Sequence, residues 1–198
     1  MVPMPEMSAL ARSFCTSPPY RALARWVLLP WALQGLSPTG EALEIGSGSG
    51  AMAAQLLRKF PALRLVATDY DPEMVAVAQR SLARFGPRSA AQRVDATALP
   101  FADGRFDVVL SFAMLHHVGD WAGATAEAIR VIRPGGYFVG YDLLHGAPLH
   151  HGHHDGPRST GMMGPGQLEA LLGSLGVTDV RTRRSAGGFA LRFFAKRR

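Results

Sequence analysis

The sequence predicts a three-layer α/β sandwich: a seven-stranded, mostly parallel sheet with an antiparallel last strand, preceded by an N-terminal helical cap. Three observations predict it. From Leu43 onward, apolar runs of strand length alternate with segments of helical periodicity, the pattern of strand–helix–strand units. A glycine-rich run, Gly46-Ser47-Gly48-Ser49-Gly50, falls where the first strand should turn into the first helix. The last two apolar runs are separated by a turn containing Gly187-Gly188, short enough for an antiparallel hairpin.

Taken in order, residues 42–45 read as a buried strand and 51–60 as the helix after it. Residues 63–69 form the second strand. Asp71 then caps a helix with Pro72 in its first turn, and Met74, Val75, Ala78, Leu82 and Phe85 fall along one face. A weaker third strand ends near Val94. The clearest strand is 106–111, followed by a helix over about 121–132 that Asp120 can cap. A Pro134-Gly135-Gly136 turn leads into a strand over 137–143. Leu168, Leu171, Leu172 and Leu175 mark a last helix, opened by Pro165 and closed by Gly176. Strands over 177–183 and 189–196 complete the sheet.

Two segments stand outside this alternation. Residues 1–34 read as helical and amphipathic, with Tyr20, Trp26 and Trp31, and 35–40 link them to the rest. The expected organisation is therefore a cap or lid over residues 1–40 and a core over 41–198. Residues 144–166, rich in Gly, Pro and His, read as a loop overhanging the end of the sheet.

Composition narrows the functional classes. With 198 residues, 47% hydrophobic and 18% charged, the chain can bury a real core and does not have a disordered composition. The single Cys15 leaves no internal disulfide and no zinc framework, so a reducing cytoplasm is the expected compartment. No secretory signal is read in the first residues, and the longest apolar stretch, 26–33, is too short to cross a bilayer. The net charge of +6 is local: residues 181–198 hold seven basic groups and no acidic one. Such a cluster attracts anions, but cations along an edge strand also guard it against sheet-to-sheet association.

The glycine run has a chemical meaning. Glycines let the chain turn sharply and let a ligand reach backbone that a Cβ would block, and the following helix start offers free N–H groups. Gly46-x-Gly48-x-x-Ala51 also fits the dinucleotide fingerprint, with Asp69 where a ribose-binding acid belongs. From these residues alone, an adenosine ribose beside the first two strands is indicated, and the cofactor stays open.

The full succession of motifs is more specific. Leu-Glu-Ile-Gly-Ser-Gly-Ser-Gly (43–50), Val-Ala-Thr-Asp-Tyr-Asp-Pro-Glu-Met (66–74), Asp-Ala-Thr-Ala-Leu-Pro-Phe (95–101), Phe-Asp-Val-Val-Leu-Ser (106–111) and Arg-Pro-Gly-Gly (133–136) together resemble the class I, Rossmann-like S-adenosylmethionine-dependent methyltransferases, and among them the small-molecule branch. The resemblance covers roughly residues 41–143. It implies S-adenosylmethionine as cofactor. It also implies that Gly46, Ser47, Gly48 and Gly50 line the methionine portion, that Glu44 braces the loop, and that Asp69 accepts from both ribose hydroxyls. Tyr70 would lie against the adenine, Asp95 and the Ala96 backbone would meet the adenine edge, and Ser111 and Phe112 would close the methionine side. Asp107 and Asp142 match no functional position of the family.

A general base is needed only where the methyl acceptor must lose a proton. His116 and His117, just past the fourth strand, are the candidates, against a structural reading in which they orient the loop. His145, His150, His151, His153 and His154, with Asp155, form a cluster whose spacing matches no defined metal site, so no metal is expected. Ser17-Pro18-Pro19-Tyr20 resembles the Pro-Pro-aromatic motif of DNA amino-methyltransferases. It lies far from the fourth strand, where that motif works, and reads as a turn before a helix.

A small-molecule acceptor is the leading expectation, with contact to a membrane interface as a further option for the basic, aromatic N-terminal segment. Nucleic acid is not expected, since no aromatic-basic platform is present. RNA or protein methylation through the basic C-terminus, a non-catalytic binder and a nicotinamide enzyme are the alternatives.

Overall fold

The computed structural model describes residues 17–144, 163, 164 and 166–198, apart from the side chains of Tyr20 and Arg21. The histidine cluster with Asp155, and the first sixteen residues of the expected cap, lie outside the described residues. Seven strands form one sheet in the order β3-β2-β1-β4-β5-β7-β6. They are β1 (Gly40–Ile45), β2 (Leu63–Asp69), β3 (Ser89–Arg93), β4 (Phe106–Phe112), β5 (Ile132–Leu143), β6 (Val177–Arg184) and β7 (Ala190–Arg197). The first five are parallel, and β7 runs antiparallel to both β5 and β6.

Local chemistry accounts for the elements. Strands β1 and β4 are central, covered on both faces, and read as near-continuous apolar runs. Helix α4 (Pro72–Leu82) starts where Asp71 Oδ1 accepts the Glu73 N–H at 2.8 Å. Helix α5 (Trp121–Val131) starts where the Asp120 carboxylate accepts the Gly123 N–H at 2.8 Å. Helix α3 (Ala51–Lys59) has no side-chain cap of its own, since Gly50 precedes it with φ +73°. Helix α6 (Gln167–Ser174) precedes the C-terminal hairpin.

Strand β5 starts earlier than expected. Ile132 already pairs with Phe106, the ladder shifts, and pairing resumes at Tyr137 opposite Val108. The Pro-Gly-Gly turn is thus an irregularity inside the strand, where a Cβ on Gly136 would lie 2.6 Å from the Asp107 carbonyl oxygen.

Two apolar clusters flank the sheet. One joins α5 and α6 to the inner residues of β1, β4, β5 and β7. The other lies under α3, α4 and the N-terminal helical stretch, which comprises α1 (Pro18–Leu23), a π-helical turn over Ala24–Leu28 and α2 (Leu29–Leu33). Pro18 and Pro19 stand in the first turn of α1, where proline is tolerated. Ala24, Leu29, Ala32 and Leu33 are buried, and Trp31 meets Tyr141 of β5 at 5.8 Å between ring centroids. Edge strand β6 carries exposed Arg181, Arg183 and Arg184, which hinders edge-to-edge pairing. Among the described residues, no helix is long and apolar enough to cross a membrane.

Candidate active site

The strand order reverses between β1 and β4, which opens a crevice beyond the C-terminal ends of these strands, the place where open α/β sheets bind ligands. The glycine run leaves β1 there. Its path is fixed by backbone contacts: the Ser47 N–H donates to the Thr68 carbonyl at 2.8 Å, and Gly50 N–H to Ser47 at 2.9 Å. Gly46, Gly48 and Gly50 all have positive φ. At Gly46 a side chain is also sterically excluded, because an added Cβ would lie 1.9 Å from the Met114 Cγ. At Gly48 a Cβ would meet no atom within 4 Å, so this turn of backbone faces open space.

Asp69 ends β2 directly beside that backbone. Its Oδ2 accepts the Gly48 N–H at 2.7 Å and its Oδ1 accepts the Asp71 N–H at 3.0 Å. Each carboxylate oxygen can still accept a further hydrogen bond, which suits a vicinal diol. Burial pushes the Asp69 carboxyl up, while the N–H groups of Asp71 and Gly48 pull it down. Glu44 lies below the loop, 2% exposed, and is held by the Ala53 N–H near the start of α3. It therefore supplies the acceptor that the Gly50 cap lacks. Burial, followed by the charge of Asp69, pushes Glu44 up to about 8.

That shift has a sign. A carboxyl that ionises at 4.5 in the unfolded chain and about 8 when folded favours the folded state fully below 4.5, and that contribution is lost as pH rises to about 8. Between about pH 5 and pH 8 the unliganded protein should lose stability, by at most about 1.4 kcal/mol per pH unit from this group. Glu44→Gln should remove most of that loss, read from urea midpoints across the range. Parallel profiles for the two proteins would contradict it.

The tip of β3 is tied to that of β2 by the Val94 N–H, which donates to the Asp69 carbonyl at 3.0 Å. Asp95 is half-buried, and its Oδ1 accepts the Thr97 N–H and hydroxyl at 2.8 and 2.7 Å. Ala96 is buried. The Tyr70 ring lies under the Arg93 guanidinium at 5.1 Å, and its carbonyl accepts from Arg93 Nε. On the other side, the Ser111 hydroxyl is fully buried and has no hydrogen-bond partner among the described residues. The Phe112 side chain turns the opposite way, into the cluster under the N-terminal helix, 5.8 Å from Tyr141. The structure thus brings Glu44, Gly46, Ser47, Gly48, Gly50 and Asp69 together and puts Asp95 and Ser111 at the flanks.

After β4 the backbone is strained, Ala113 having φ +53°. The short turn Leu115–His117 follows. Its anchor is a residue that the sequence reading had left without a role: Asp142, near the end of β5 and 0% exposed. Asp142 Oδ2 accepts the Met114 and Leu115 N–H groups at 3.1 and 2.6 Å, and Oδ1 accepts Leu143 N–H at 2.7 Å. His116 Nδ1 stands 2.5 Å from Oδ1 and is buried as well. The contact fixes the orientation of the His116 ring, with Nδ1 turned to the carboxylate and Nε2 turned away from it. The His117 ring lies against that of His116, 3.9 Å between centroids and tilted by 43°, and is more exposed. The signal available in the sequence was a lone acid inside an apolar strand, which must find donors if buried. Asp107, by contrast, works at the other end of the sheet, accepting the Glu41 N–H and Arg133 Nε.

Among the described residues, no three His, Cys, Asp or Glu side chains gather as a metal site. A concavity of about 300 Å³ lined by Leu33, Gln34, Tyr137, Arg181 and Lys196 lies at the opposite end of the sheet from the glycine loop. It has none of the acids described above. The glycine-loop crevice fits the aminoacyl nucleoside implied by the sequence: open backbone at Gly48, a two-oxygen acceptor at Asp69, an orphaned hydroxyl at Ser111.

Comparison with known proteins agrees. Residues 43–140 match the methyltransferase domain family. The chain is 35% identical over 97 residues to a demethylmenaquinone methyltransferase of Thermus thermophilus, covering 49% of this chain and 44% of that protein. It is 33% identical over 118 residues to the ubiquinone/menaquinone biosynthesis C-methyltransferase of Desulfotalea psychrophila, covering 60% and 47%. The chain thus spans under half the length of these relatives. Among solved structures, a S-adenosylmethionine-dependent methyltransferase from Aquifex aeolicus superposes with a TM-score of 0.73 at 16% identity, over 96% of this chain and 99% of that one. A protein from Pyrococcus horikoshii superposes with a TM-score of 0.76 at 17% identity, over 98% and 100%. With motif order, sheet topology and family match in agreement, the chain belongs to the class I, Rossmann-like S-adenosylmethionine-dependent methyltransferases.

Proposed function

We propose that this chain methylates a small, largely apolar molecule, binding S-adenosylmethionine in the crevice between the glycine loop and the tips of β2 and β4. The observation that carries the reading is Asp69, held against Gly48 by one oxygen and against Asp71 by the other, with an acceptor position left on each. In this reading the two positions take the ribose hydroxyls, the Gly46–Gly50 backbone holds the methionine portion, Asp95 and Ala96 meet the adenine, and Ser111 finds its missing partner. The cofactor supplies a methyl group activated by a sulfonium. The protein's part is to align the acceptor with that methyl and to keep water out, and orientation of this kind contributes on the order of 7–11 kcal/mol.

His116, whose ring is oriented by Asp142 through Nδ1, serves as the base for an acceptor that must be deprotonated, such as an acidic carbon or a phenol. His117, whose ring lies tilted against it, supports its position. An apolar acceptor is supported by the relatives whose names specify menaquinone and ubiquinone biosynthesis. The basic C-terminal residues sit on an edge strand and its partner, and no feature of the crevice calls for a nucleic acid.

The test is transfer of labelled methyl from S-adenosylmethionine to a panel of quinols and phenols. Label should move into the organic extract only with a small acceptor present. His116→Ala should slow turnover by about 100-fold while leaving S-adenosylhomocysteine affinity nearly unchanged. Label that moves only to RNA or protein, or to nothing in the panel, would contradict the proposal.

A further inference from the structure

Five large apolar side chains are exposed among the described residues, and four of them, Leu23, Trp26, Val27 and Phe189, lie at one end of the molecule. The helical stretch fixes the position of the first three. Leu33 and Gln34 lie beside Tyr137, near the start of the regular part of β5, while Trp31 lies beside Tyr141, four residues further toward its C-terminal end. Continued backward at helical rise, the stretch climbs past Tyr141, so residues 23–27 stand at the level of the strand C-termini, the end where the glycine loop lies. Phe189 reaches the same level from the hairpin, its carbonyl accepting the Leu144 N–H just beyond β5. Trp26 is 70% exposed and Val27 54%.

Cations stand behind these tips. The Arg25 guanidinium covers the Trp26 ring at 4.5 Å. Arg183 and Arg192 pair directly across β6 and β7, two like charges on one face, level with Tyr141 and about 7 Å below the end of β5. Like charges directly opposite each other are unfavourable in water, and an anion between them removes the cost. The Arg192 Nη1 donates to the Trp31 carbonyl at 3.1 Å, while its Nε is buried with no partner among the described residues. No acidic residue occurs between positions 7 and 40 or between 180 and 198. Apolar tips with an arginine belt one rung behind them that pairs with no carboxylate among the described residues match an anionic bilayer surface, with aromatic and aliphatic groups at the acyl boundary and guanidiniums at the lipid phosphates.

We propose that this rim docks on anionic lipid, with Leu23, Trp26, Val27 and Phe189 entering the interface and the exposed Arg25 and Arg183 facing the phosphates. Docked this way, the crevice mouth faces the bilayer, the phase in which an apolar acceptor dissolves. The orientation rests on the methyltransferase reading, but the docking itself is measured without cofactor or acceptor.

The test is co-sedimentation of the full chain with vesicles of phosphatidylcholine containing about one-third phosphatidylglycerol, against phosphatidylcholine alone. The protein should bind the anionic vesicles, release in high salt, and bind the neutral ones at least about tenfold more weakly. Trp26→Glu with Val27→Glu, and separately Arg25→Glu with Arg183→Glu, should each reduce partitioning at least about tenfold and leave S-adenosylhomocysteine binding intact. Should a variant fail to fold, quenching of wild-type tryptophan fluorescence by brominated lipid in the anionic vesicles decides, and unquenched emission overturns the proposal. So would absence of sedimentation, or undiminished sedimentation of both folded variants. A dimer in light scattering that the Trp26 and Val27 changes dissociate would assign the rim to a second copy instead.

Discussion

Asp69→Ala is expected to weaken S-adenosylhomocysteine binding by at least about 100-fold without unfolding the protein. Hydrogen bonds to a charged group contribute on the order of 1.5–3 kcal/mol each, and on the proposed reading two ribose hydroxyls would lose their acceptor at once. The Gly48 N–H, now held at 2.7 Å, also loses its partner, so the loop itself loosens where the methionine portion should bind. Stability should change much less. Burial already pushes Asp69 up, so its charge is poorly tolerated without a ligand, and its removal also relieves the neighbouring Glu44. Asp69→Asn, which keeps one acceptor oxygen and turns the other into a donor, should fall between the two. Calorimetric titration with thermal melts on the same samples separates lost affinity from lost fold. Wild-type affinity in the alanine variant would remove Asp69 from the site.

Asp142→Ala should be the most damaging single change to the reaction side of the crevice. The carboxylate is wholly buried and accepts from Met114, Leu115 and Leu143 as well as standing against His116. Truncation strands several buried donors together, and losses of this kind cost about 3–5 kcal/mol. The turn over Leu115–His117 keeps its core packing through Leu115 and its own backbone hydrogen bonds, but loses the acceptor that ties it to β5. Asp142→Asn is the more informative variant because it keeps the shape. With an amide opposite Nδ1, the tautomer and basicity of His116 change, so kcat should fall while cofactor affinity holds, and the pH profile of kcat should shift. A purely structural role would leave that profile unmoved in the asparagine variant. Chemical denaturation of the alanine variant and pH–rate profiles of the asparagine variant are the measurements.

The glycine loop, Asp69 and the two helix caps at Asp71 and Asp120 were legible in the sequence because each is decided within a few residues. A strand, a turn with positive φ and a helix start follow one another along the chain, and short-range geometry fixes where they lead. The seven strands were legible for the same reason. Asp142 was not, because Met114, Leu115 and His116 lie 26 to 28 residues away and become its neighbours only when β4 and β5 pair. The early start of β5 is set in the same way, by the pairing of Ile132 with Phe106 across the sheet. Phe112 illustrates the limit of reading a strand end: alternation sends its ring to the face opposite Ser111, where Tyr141 receives it. Tyr70 was assigned to the adenine by resemblance, and its engagement with Arg93 is a cross-strand contact that no local pattern announces.

The sequence motif around Gly46 and Asp69 serves two cofactor classes, and one titration separates them. The purified 198-residue chain is titrated with S-adenosylhomocysteine and, in parallel, with NAD. The account predicts one saturable site for S-adenosylhomocysteine, lost in Asp69→Ala, and no heat with NAD. Binding of NAD alone, or no heat with either nucleoside, would contradict it.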